Sequence, residues 1–276
     1  MAANMKGRAL SRPQNSSKLL LERVETERKA SMKIIGNLYA YPWMGMGNNC
    51  NSYFFANVLD GSKPHIIIDS GHVTNEMGQP CLENLVTAIE SDGFSISDIG
   101  LIINTHTHID HYHANRALQD MTQTDSGQKA QIALSSDADE YRKTGGARWQ
   151  RTYGDSMVFD PDFYIEEGPI TLGNGDNKIN LEIIDAPGHG PGHICMYWSR
   201  NKVLITGDIV FVGSCGRTDL PGGNGEQLKA SIEKLSKYDA EYLLTGHATE
   251  YGSMLKGKEN IQKCFEFVKK NYFPFL

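Results

Sequence analysis

The stretch Thr105-His106-Thr107-His108-Ile109-Asp110-His111 brings three imidazoles and one carboxylate together within a few residues. So dense a group of metal-binding side chains is typical of a metal site and unusual for a polar surface loop. The preceding residues, 100–104, are mainly apolar and β-branched and predict a buried strand. The ligand-type residues therefore follow the end of a strand, where α/β sheets often carry their active sites.

The spacing of these groups predicts how they divide between ions. His106 and His108 are two residues apart, so an extended backbone points both side chains the same way and lets them share one ion. Asp110 and His111 follow where the chain must turn, which suits a second ion better. His113 continues the run but breaks its spacing, and we expect it beside the site or at a helix start.

Further ligands must come from later in the chain, because two ions need about seven protein groups when one position is shared. Three later segments have the same format, an apolar strand followed by a glycine and a ligand-type residue. These segments lead to His189, Asp208 and His247. Glycine permits positive φ and close backbone approach, which a side chain aimed into a crowded site requires.

Together these segments resemble the metallo-β-lactamase superfamily. The matching pieces are residues 68–71, 106–111, 187–193, 207–208 and 246–247. The resemblance implies an αββα sandwich, an α+β fold of two sheets packed face to face with helices outside and metals at one edge. Two successive groups of strands and helices in the sequence are compatible with that architecture.

The resemblance also implies a role for each side chain. The first ion would be bound by His106, His108 and His189. The second would be bound by Asp110, His111 and His247, and Asp208 would bridge the two ions.

Three other polar residues lie near these motifs in the sequence. His193 also follows a glycine, but the family pattern favours His189 as the ligand and leaves His193 near the site without metal. Asp69 ends an apolar run, where a buried carboxylate needs a partner, and in the family this aspartate braces the ligand loop. We expect His72 on the surface.

We expect such a site to catalyse hydrolysis. Two divalent ions about 3.5–4 Å apart lower the pKa of a bridging water, and the resulting hydroxide attacks a thioester or ester carbonyl. One ion stabilises the developing oxyanion, while Asp110 orients the nucleophile and transfers its proton to the leaving group. The mainly imidazole ligand set favours zinc, and iron and manganese are compatible.

The segment 207–223 is similar to one in glyoxalase II-like (hydroxyacylglutathione hydrolase-like) hydrolases and persulfide dioxygenases. In those enzymes the segment lies beside the thiol-derived part of the substrate. By that resemblance Arg217 would bind a carboxylate of the substrate; alternatively, Arg217 forms an ion pair with Asp219. The long stretch 141–163 is a candidate cap over an anionic or acyl substrate, or a solvated loop. The candidate substrate-binding residues are Arg217, Cys215, Tyr112, Trp149 and Arg151.

Two other activities remain open. A persulfide dioxygenase would use one Fe(II) on the side of His106, His108 and His189, with Asp208 as the carboxylate, and would consume oxygen. Lactone hydrolysis uses the same motifs. Only 29 of the 276 residues follow His247, so we expect a hydrolase without the C-terminal helical domain of glyoxalase II.

Composition limits the partners. The net charge of −6 argues against a nucleic-acid surface. The sequence shows no apolar run of about 18 residues and no signal-like N-terminus, so we expect no membrane partner. Five scattered cysteines without a C-x-x-C motif indicate reduced thiols and a cytoplasmic protein. We therefore expect a small-molecule acyl or thioester substrate.

The sequence divides into an N-terminal extension, residues 1–31, and a domain, residues 32–276. The extension is polar with one weak helical pattern, so we expect it to be partly disordered or helical and a candidate homodimer contact. Within the domain, the pattern predicts among other elements strands at 34–41 and 52–59 and helices at 82–91 and 227–237.

Overall fold

The computed structural model describes residues 31–144, 154 and 158–276. In this part of the chain two large sheets pack face to face, and a two-stranded ribbon lies beside the second. Residues 1–30, and with them almost all of the predicted N-terminal extension, lie outside the described residues, as do Trp149 and Arg151.

The first sheet has seven strands that are neighbours in chain order. They are β1 (Met32–Ile35), β2 (Leu38–Tyr41), β3 (Ser52–Phe55), β4 (His65–Ile68), β5 (Ile99–Ile103), β6 (Gln131–Leu134) and β7 (Phe163–Tyr164). Strands β1 to β4 pair antiparallel, whereas β4 to β7 pair parallel. The carboxyl ends of β4 and β5 therefore meet at the same edge of the sheet.

The second sheet has six strands in the order β15-β14-β11-β10-β9-β8. They are β8 (Gly168–Leu172), β9 (Ile179–Asp185), β10 (Ile194–Trp198), β11 (Val203–Gly207), β14 (Tyr242–Thr249) and β15 (Gly252–Lys256). Strands β12 (Val210–Phe211) and β13 (Ser214–Cys215) form the separate ribbon. Since β11 and β14 are parallel, the residues that follow Ile205 and Leu244 lie side by side.

Helices cover the outer faces of both sheets. They are α1 (Cys81–Ser91), α2 (Ile109–Tyr112), α3 (Asn115–Met121), α4 (Ser136–Thr144), α5 (Gly225–Leu235) and α6 (Lys258–Tyr272). None of the helices in the described ranges is both long and apolar enough to span a membrane.

Alternation along the strands builds three apolar layers. Ile66 and Ile68 of β4 point into the layer between the two sheets, whereas Ile67 points outward to the layer under helices α1 to α4. On the second sheet, Leu244 faces the central layer and Leu243 faces helices α5 and α6. This order of layers is the αββα sandwich expected from the sequence.

Several element boundaries differ from those predicted. Residues 34–41 are not one strand, because Gly36 (φ +57°) and Asn37 form the tight turn of a β1–β2 hairpin. The strand predicted at 52–59 ends at Phe55. Strands β7, β8, β12, β13 and β15 were not predicted; all five are two to five residues long and lie at sheet edges or in the ribbon.

Candidate metal centre

The ligand-type side chains come from the ends of strands of both sheets. Backbone hydrogen bonds join the sheets at this edge: Ile194 N–H donates to Thr105 O (2.8 Å), and Asn51 N–H donates to Gly246 O (2.7 Å). His106 and His108 follow β5, and His108 directly precedes the short helix α2 that carries Asp110. The edge where these loops converge holds a compact cluster of buried histidines and aspartates.

The first group consists of three imidazoles. The His108 Nδ1 atom lies 3.1 Å from His106 Nε2 and 2.7 Å from His189 Nε2. Ligands bound about 2.0–2.1 Å from one tetrahedral zinc ion are about 3.3 Å apart. The spacing of the three nitrogens therefore fits a single small cation.

The second group combines a carboxylate with two imidazoles. The His247 Nε2 atom lies 3.1 Å from Asp110 Oδ2 and 3.2 Å from His111 Nε2. The side chain of His247 is 19% exposed, whereas those of Asp110 and His111 are 9% and 0% exposed. Access to the cluster from solvent is therefore greatest at His247.

Asp208 lies between the two groups. Its Oδ2 atom is 3.4 Å from His189 Nε2 and 3.2 Å from His247 Nε2, and its Oδ1 atom is 3.3 Å from His111 Nε2. One carboxylate thus faces imidazoles of both groups. This is the position that a ligand shared between two ions would need.

Glycines make room for Asp208. Gly207 has φ +48°, and a Cβ there would lie 2.7 Å from the His193 ring and 2.8 Å from Thr105 Oγ1. A Cβ on Gly246 would lie 2.0 Å from Asp208 Oδ1. The glycines before the ligand-type residues therefore serve the close approach predicted from the sequence.

Asp69 holds the loop after β5. Its Oδ1 atom accepts from Thr105 N–H (2.8 Å), and its Oδ2 atom accepts from Thr105 Oγ1–H (2.8 Å) and faces His111 Nδ1 at 2.9 Å. The Thr105 hydroxyl has then donated its proton, so it accepts from His106 Nδ1–H (3.1 Å). These bonds leave the Nε2 atoms of His106 and His111 free to bind a cation.

Two more contacts orient ligand-type groups. His189 Nδ1–H donates to the backbone carbonyl of Arg217 (2.8 Å), which leaves Nε2 unprotonated. The His193 Nε2 atom accepts from Asp208 N–H (3.1 Å), and its ring stacks on His106 at a centroid distance of 4.7 Å. His193 thus packs against the cluster and supports Asp208 and His106. It is not one of the three histidines whose nitrogens form the first group.

The charges of the two groups differ. Burial, reinforced by neighbouring imidazoles, lowers the pKa of His106 well below its ordinary value and that of His108 to about 3. Burial also acts against the charged form of His247, but Asp208 and Asp110 outweigh it and raise the pKa of His247 to about 10. The first group therefore presents neutral nitrogens, while the second surrounds its carboxylates with positive charge.

The cluster fits divalent ions on its own chemistry. Among the ligand atoms of the described residues, Asp208 Oδ1 is buried without a hydrogen-bond partner, and an unpaired buried carboxylate oxygen is costly. Three groupings of ligand atoms lie within 4.8 Å of one another: His106/His108/His189, His106/His111/Asp208 and Asp110/His111/His247. Imidazole and carboxylate donors together suit zinc, iron or manganese.

The structure does not bring every predicted residue to the cluster surface. Tyr112 is 2% exposed and packs edge-on to Phe159 beneath α2, and Cys215 is 5% exposed within the apolar layer under α5 and α6. Burial raises the pKa of the Cys215 thiol to about 12. The burial of both side chains argues against direct contact with a substrate.

Charged side chains predicted near the substrate have partners within the protein. The Arg217 guanidinium pairs with Asp219 (2.6 Å), and the two side chains are 53% and 44% exposed. Arg142, at the start of the proposed cap, is buried and donates to Asp139 Oδ1 (2.5 Å) and to the Phe159 carbonyl (2.9 Å). Arg142 is therefore a structural residue of α4, and Arg217 reaches the site through its carbonyl oxygen.

His72 is buried, contrary to the surface position predicted for it. It is 2% exposed, its Nδ1 atom lies 3.0 Å from His113 Nδ1, and Asn49 Oδ1 accepts from its backbone N–H. The loop between β2 and β3 covers this part of the chain. The length and path of that loop were not evident from the sequence.

Sequence reasoning also missed several residues around the cluster. Asn48 donates through Nδ2 to Asp110 Oδ2 (2.7 Å), the Tyr141 ring lies edge-on to His108 at 6.2 Å, and the Phe211 ring lies edge-on to His247 at 5.8 Å. Asn48 follows the segment Gly45-Met46-Gly47. That pattern predicts a turn but gives no sign of what the turn contacts.

Comparison with known proteins agrees with this site. Residues 45–247 match the family model described as the metallo-beta-lactamase superfamily. The chain is 29% identical to the hydroxyacylglutathione hydrolase GloC of Haemophilus influenzae over 77% of this chain and 91% of that protein. It is 31% identical to the probable metallo-hydrolase MJ0888 of Methanocaldococcus jannaschii over 70% of this chain and 82% of that protein.

Two other matches are weaker, because one covers only part of the matched protein and the other shows only the fold. An uncharacterized protein of Aquifex aeolicus is 43% identical, but the match spans 28% of this chain and 35% of that protein. A crystal structure of TTHA1623 in a di-iron-bound form has a TM-score of 0.57 at 23% identity, covering 82% of this chain and 95% of that one. The full-length relatives support a metal-dependent hydrolase, and the family model spans most of the described domain; the chain belongs to the metallo-β-lactamase superfamily.

Proposed function

We propose that this chain is a binuclear metal-dependent hydrolase that cleaves a thioester or ester bond of a small acyl substrate. The observation that carries the proposal is the position of Asp208, whose carboxylate faces His189 of the first group and both His111 and His247 of the second. A shared carboxylate between two sets of three ligands is the arrangement that holds a pair of ions. We propose zinc as the native metal because most of the donors are imidazoles.

The ligand assignment follows from these contacts. His106, His108 and His189 would hold one ion, Asp110, His111 and His247 the other, and Asp208 both. When bound, two such ions lower the pKa of a water held between them and polarise the substrate carbonyl. The chain's own contribution is to fix the ligand nitrogens through Asp69, Thr105 and the carbonyl of Arg217.

Asp110 has a second role in this proposal. Its carboxylate is buried beside His247, and the contacts with Asn48 and His247 fix one of its oxygens. A carboxylate held in this way can accept the proton of an attacking water and deliver it to the departing thiol or alcohol. Substrate would approach from the side of His247, the most exposed of the second group. Arg217 remains a proposed contact for a substrate carboxylate only if its pair with Asp219 opens.

Metal content and substrate panels test this function. Protein purified without chelators is analysed for zinc, iron and manganese per chain, then assayed with thioesters, esters and lactones before and after treatment with a chelator. We expect about two equivalents of metal and thioester or ester hydrolysis that the chelator abolishes and added metal restores.

Each other outcome points away from the proposal. One equivalent of iron, together with oxygen uptake on persulfides, would replace it with a persulfide dioxygenase. Cleavage of lactones with no activity on thioesters or open-chain esters would replace it with a lactonase. Two bound ions without activity on any member of the panel would leave the metal assignment standing and refute the substrate class.

A further inference from the structure

The Asp110 carboxylate has an uncharged hydrogen-bond donor from a distant part of the chain. Asn48 Nδ2–H donates to Asp110 Oδ2 at 2.7 Å, and the same oxygen lies 3.1 Å from His247 Nε2. Asp110 is buried, whereas Asn48 is exposed on its outer side. The amide therefore reaches inward from the surface to the oxygen that faces the second ligand group.

Asn48 is held in place by the loop between β4 and α1. Its backbone N–H donates to Glu76 Oε1 (2.8 Å), and Asn75 Nδ2–H donates to the Met46 carbonyl (2.8 Å). A Cβ on Gly47, which has φ +76°, would lie 2.6–2.9 Å from the side chains of Met77, Asn75 and Glu76. The two loops are thus held together at residues 46–48.

This clamp has an energetic consequence. An exposed asparagine would normally lose backbone and side-chain freedom on forming one hydrogen bond, and that loss offsets much of the bond's contribution. Here the contacts of Glu76 and Asn75 already order the backbone from Met46 to Asn48. The amide is therefore presented to Asp110 before any ion binds, as a positioning group must be.

We propose that Asn48 is a positioning residue that fixes the rotation of the Asp110 carboxylate and so completes the second ligand group. The inference rests on the proposed binuclear function. Asp110 can turn about its Cβ–Cγ bond, and the described residues give its carboxylate only one uncharged donor, Asn48. Groups that orient a metal ligand typically change metal affinity 10–100-fold when they are removed.

The effect should fall on one ion only. In the first group, Thr105 orients His106 and the Arg217 carbonyl orients His189, and Asn48 contacts none of the three imidazoles. Loss of the Asn48 amide should therefore weaken the ion held by Asp110, His111 and His247. The ion held by the three imidazoles of the first group should keep its affinity.

Two variants and a matched control test this inference. Asn48→Ala removes the amide, and Asn48→Asp keeps its shape but replaces the donor with an oxygen that repels Asp110. Asn177→Ala is the control, because Asn177 is an exposed asparagine in the turn before β9, whereas His189 follows the opposite end of that strand. Each metal-free protein is titrated with Zn²⁺ against a chromophoric chelator, and with Co²⁺ while its visible spectrum is recorded.

We expect the parent and Asn177→Ala to show two binding events, and both Asn48 variants to show an unchanged first event and a second event 10–100-fold weaker. The Co²⁺ bands of the second event should shift or disappear in the same variants. Wild-type affinities in both Asn48 variants would overturn the inference, as would equal weakening of both events with a lower melting temperature in chelator. Tighter binding by Asn48→Asp would also overturn it, by making residue 48 a ligand position.

The parent titration separates this inference from the proposed function. A parent that binds a single ion refutes the binuclear function whatever the variants do. A parent that binds two ions, with variants that match it, refutes the role of Asn48 alone.

Discussion

Replacing His189 with alanine tests the ligand assignment sharply, because His193 offers a control of the same chemistry four residues away. Both histidines are buried and both follow a glycine. His189 Nε2 lies 2.7 Å from His108 Nδ1 and 3.4 Å from Asp208 Oδ2. His193 instead directs Nε2 at the backbone N–H of Asp208. Only His189 should therefore be needed to bind metal.

The expected magnitudes differ between the two variants. Binding of a four-ligand zinc ion contributes about 10–16 kcal/mol, so one ligand accounts for about 2.5–4 kcal/mol, or about 10²–10³-fold in Kd. His189→Ala should lose the first ion at micromolar zinc. His193→Ala removes the acceptor for Asp208 N–H and the ring stacked on His106, which corresponds to about 10–100-fold in affinity with both ions still bound at saturation.

The assay is metal content after equilibrium dialysis at a fixed, buffered zinc concentration, with hydrolysis measured on the same samples. Circular dichroism and melting temperature in chelator show whether each variant has kept its fold, since both substitutions leave a buried cavity. The reasoning is refuted if folded His189→Ala retains both ions at parental affinity while His193→Ala loses one.

Three further substitutions test the supports of the site and of α4. Gly246→Ala places a Cβ 2.0 Å from Asp208 Oδ1, so it should release bound metal and lower the melting temperature by several degrees, at about 1–3 kcal/mol of overpacking; unchanged melting and metal content would contradict this. Asp69→Asn weakens the hold on His111 Nδ1 and should reduce affinity for the ion at His111 about 10–100-fold in a zinc titration; an unchanged titration would argue that the loop needs no brace. Burial opposes ionisation of Asp139, but hydrogen bonds from the lysine and arginine of α4 prevail and lower its pKa. Its stabilisation is therefore complete above the unfolded pKa of about 4 and is lost as pH falls through the lower folded value. Urea unfolding should show Asp139→Asn less stable than the parent at pH 7, with the gap closing below pH 4, whereas a gap independent of pH would exclude this linkage.

The ligand-type residues could be predicted because each has a local signal. His106, His189, Asp208 and His247 all follow apolar strands, and three of them follow a glycine. At Gly207 and Gly246 the crowded site leaves no room for a Cβ, and at Gly188 helix α5 leaves none. A strand predicted from its own residues gives the position of its end. Because parallel strands end at the same edge, ligands far apart in sequence could be expected to meet. The layers of the sandwich were expected on other grounds, from the family resemblance and from the two successive groups of strands and helices in the sequence.

Other features depend on contacts that no local pattern records. Tyr112 is adjacent to His111, but the helical turn of α2 directs its ring into the apolar layer beneath, where it meets Phe159. His72 follows a strand much as the ligands do, yet the loop before β3 covers it. Tyr112 was expected at the site because it is next to a ligand-type residue in the sequence, and His72 was expected on the surface because no local pattern shows the loop that covers it. The face on which a side chain emerges was decided by packing from elsewhere in the chain.

Some of the groups that orient the ligand-type residues could be expected from the sequence, and others could not. A carboxylate at the end of an apolar strand needs buried donors, so Asp69 was expected to have partners, and it has them in Thr105 and His111. Its role as a brace was implied by the family resemblance. The partner of His189 is the backbone carbonyl of Arg217, an atom that every residue type supplies. The sequence therefore drew attention to the Arg217 guanidinium, which points to Asp219, and not to the carbonyl that contacts the site. Residue identity can indicate the ligands and their side-chain partners, but backbone partners become visible only when the path of the chain is known.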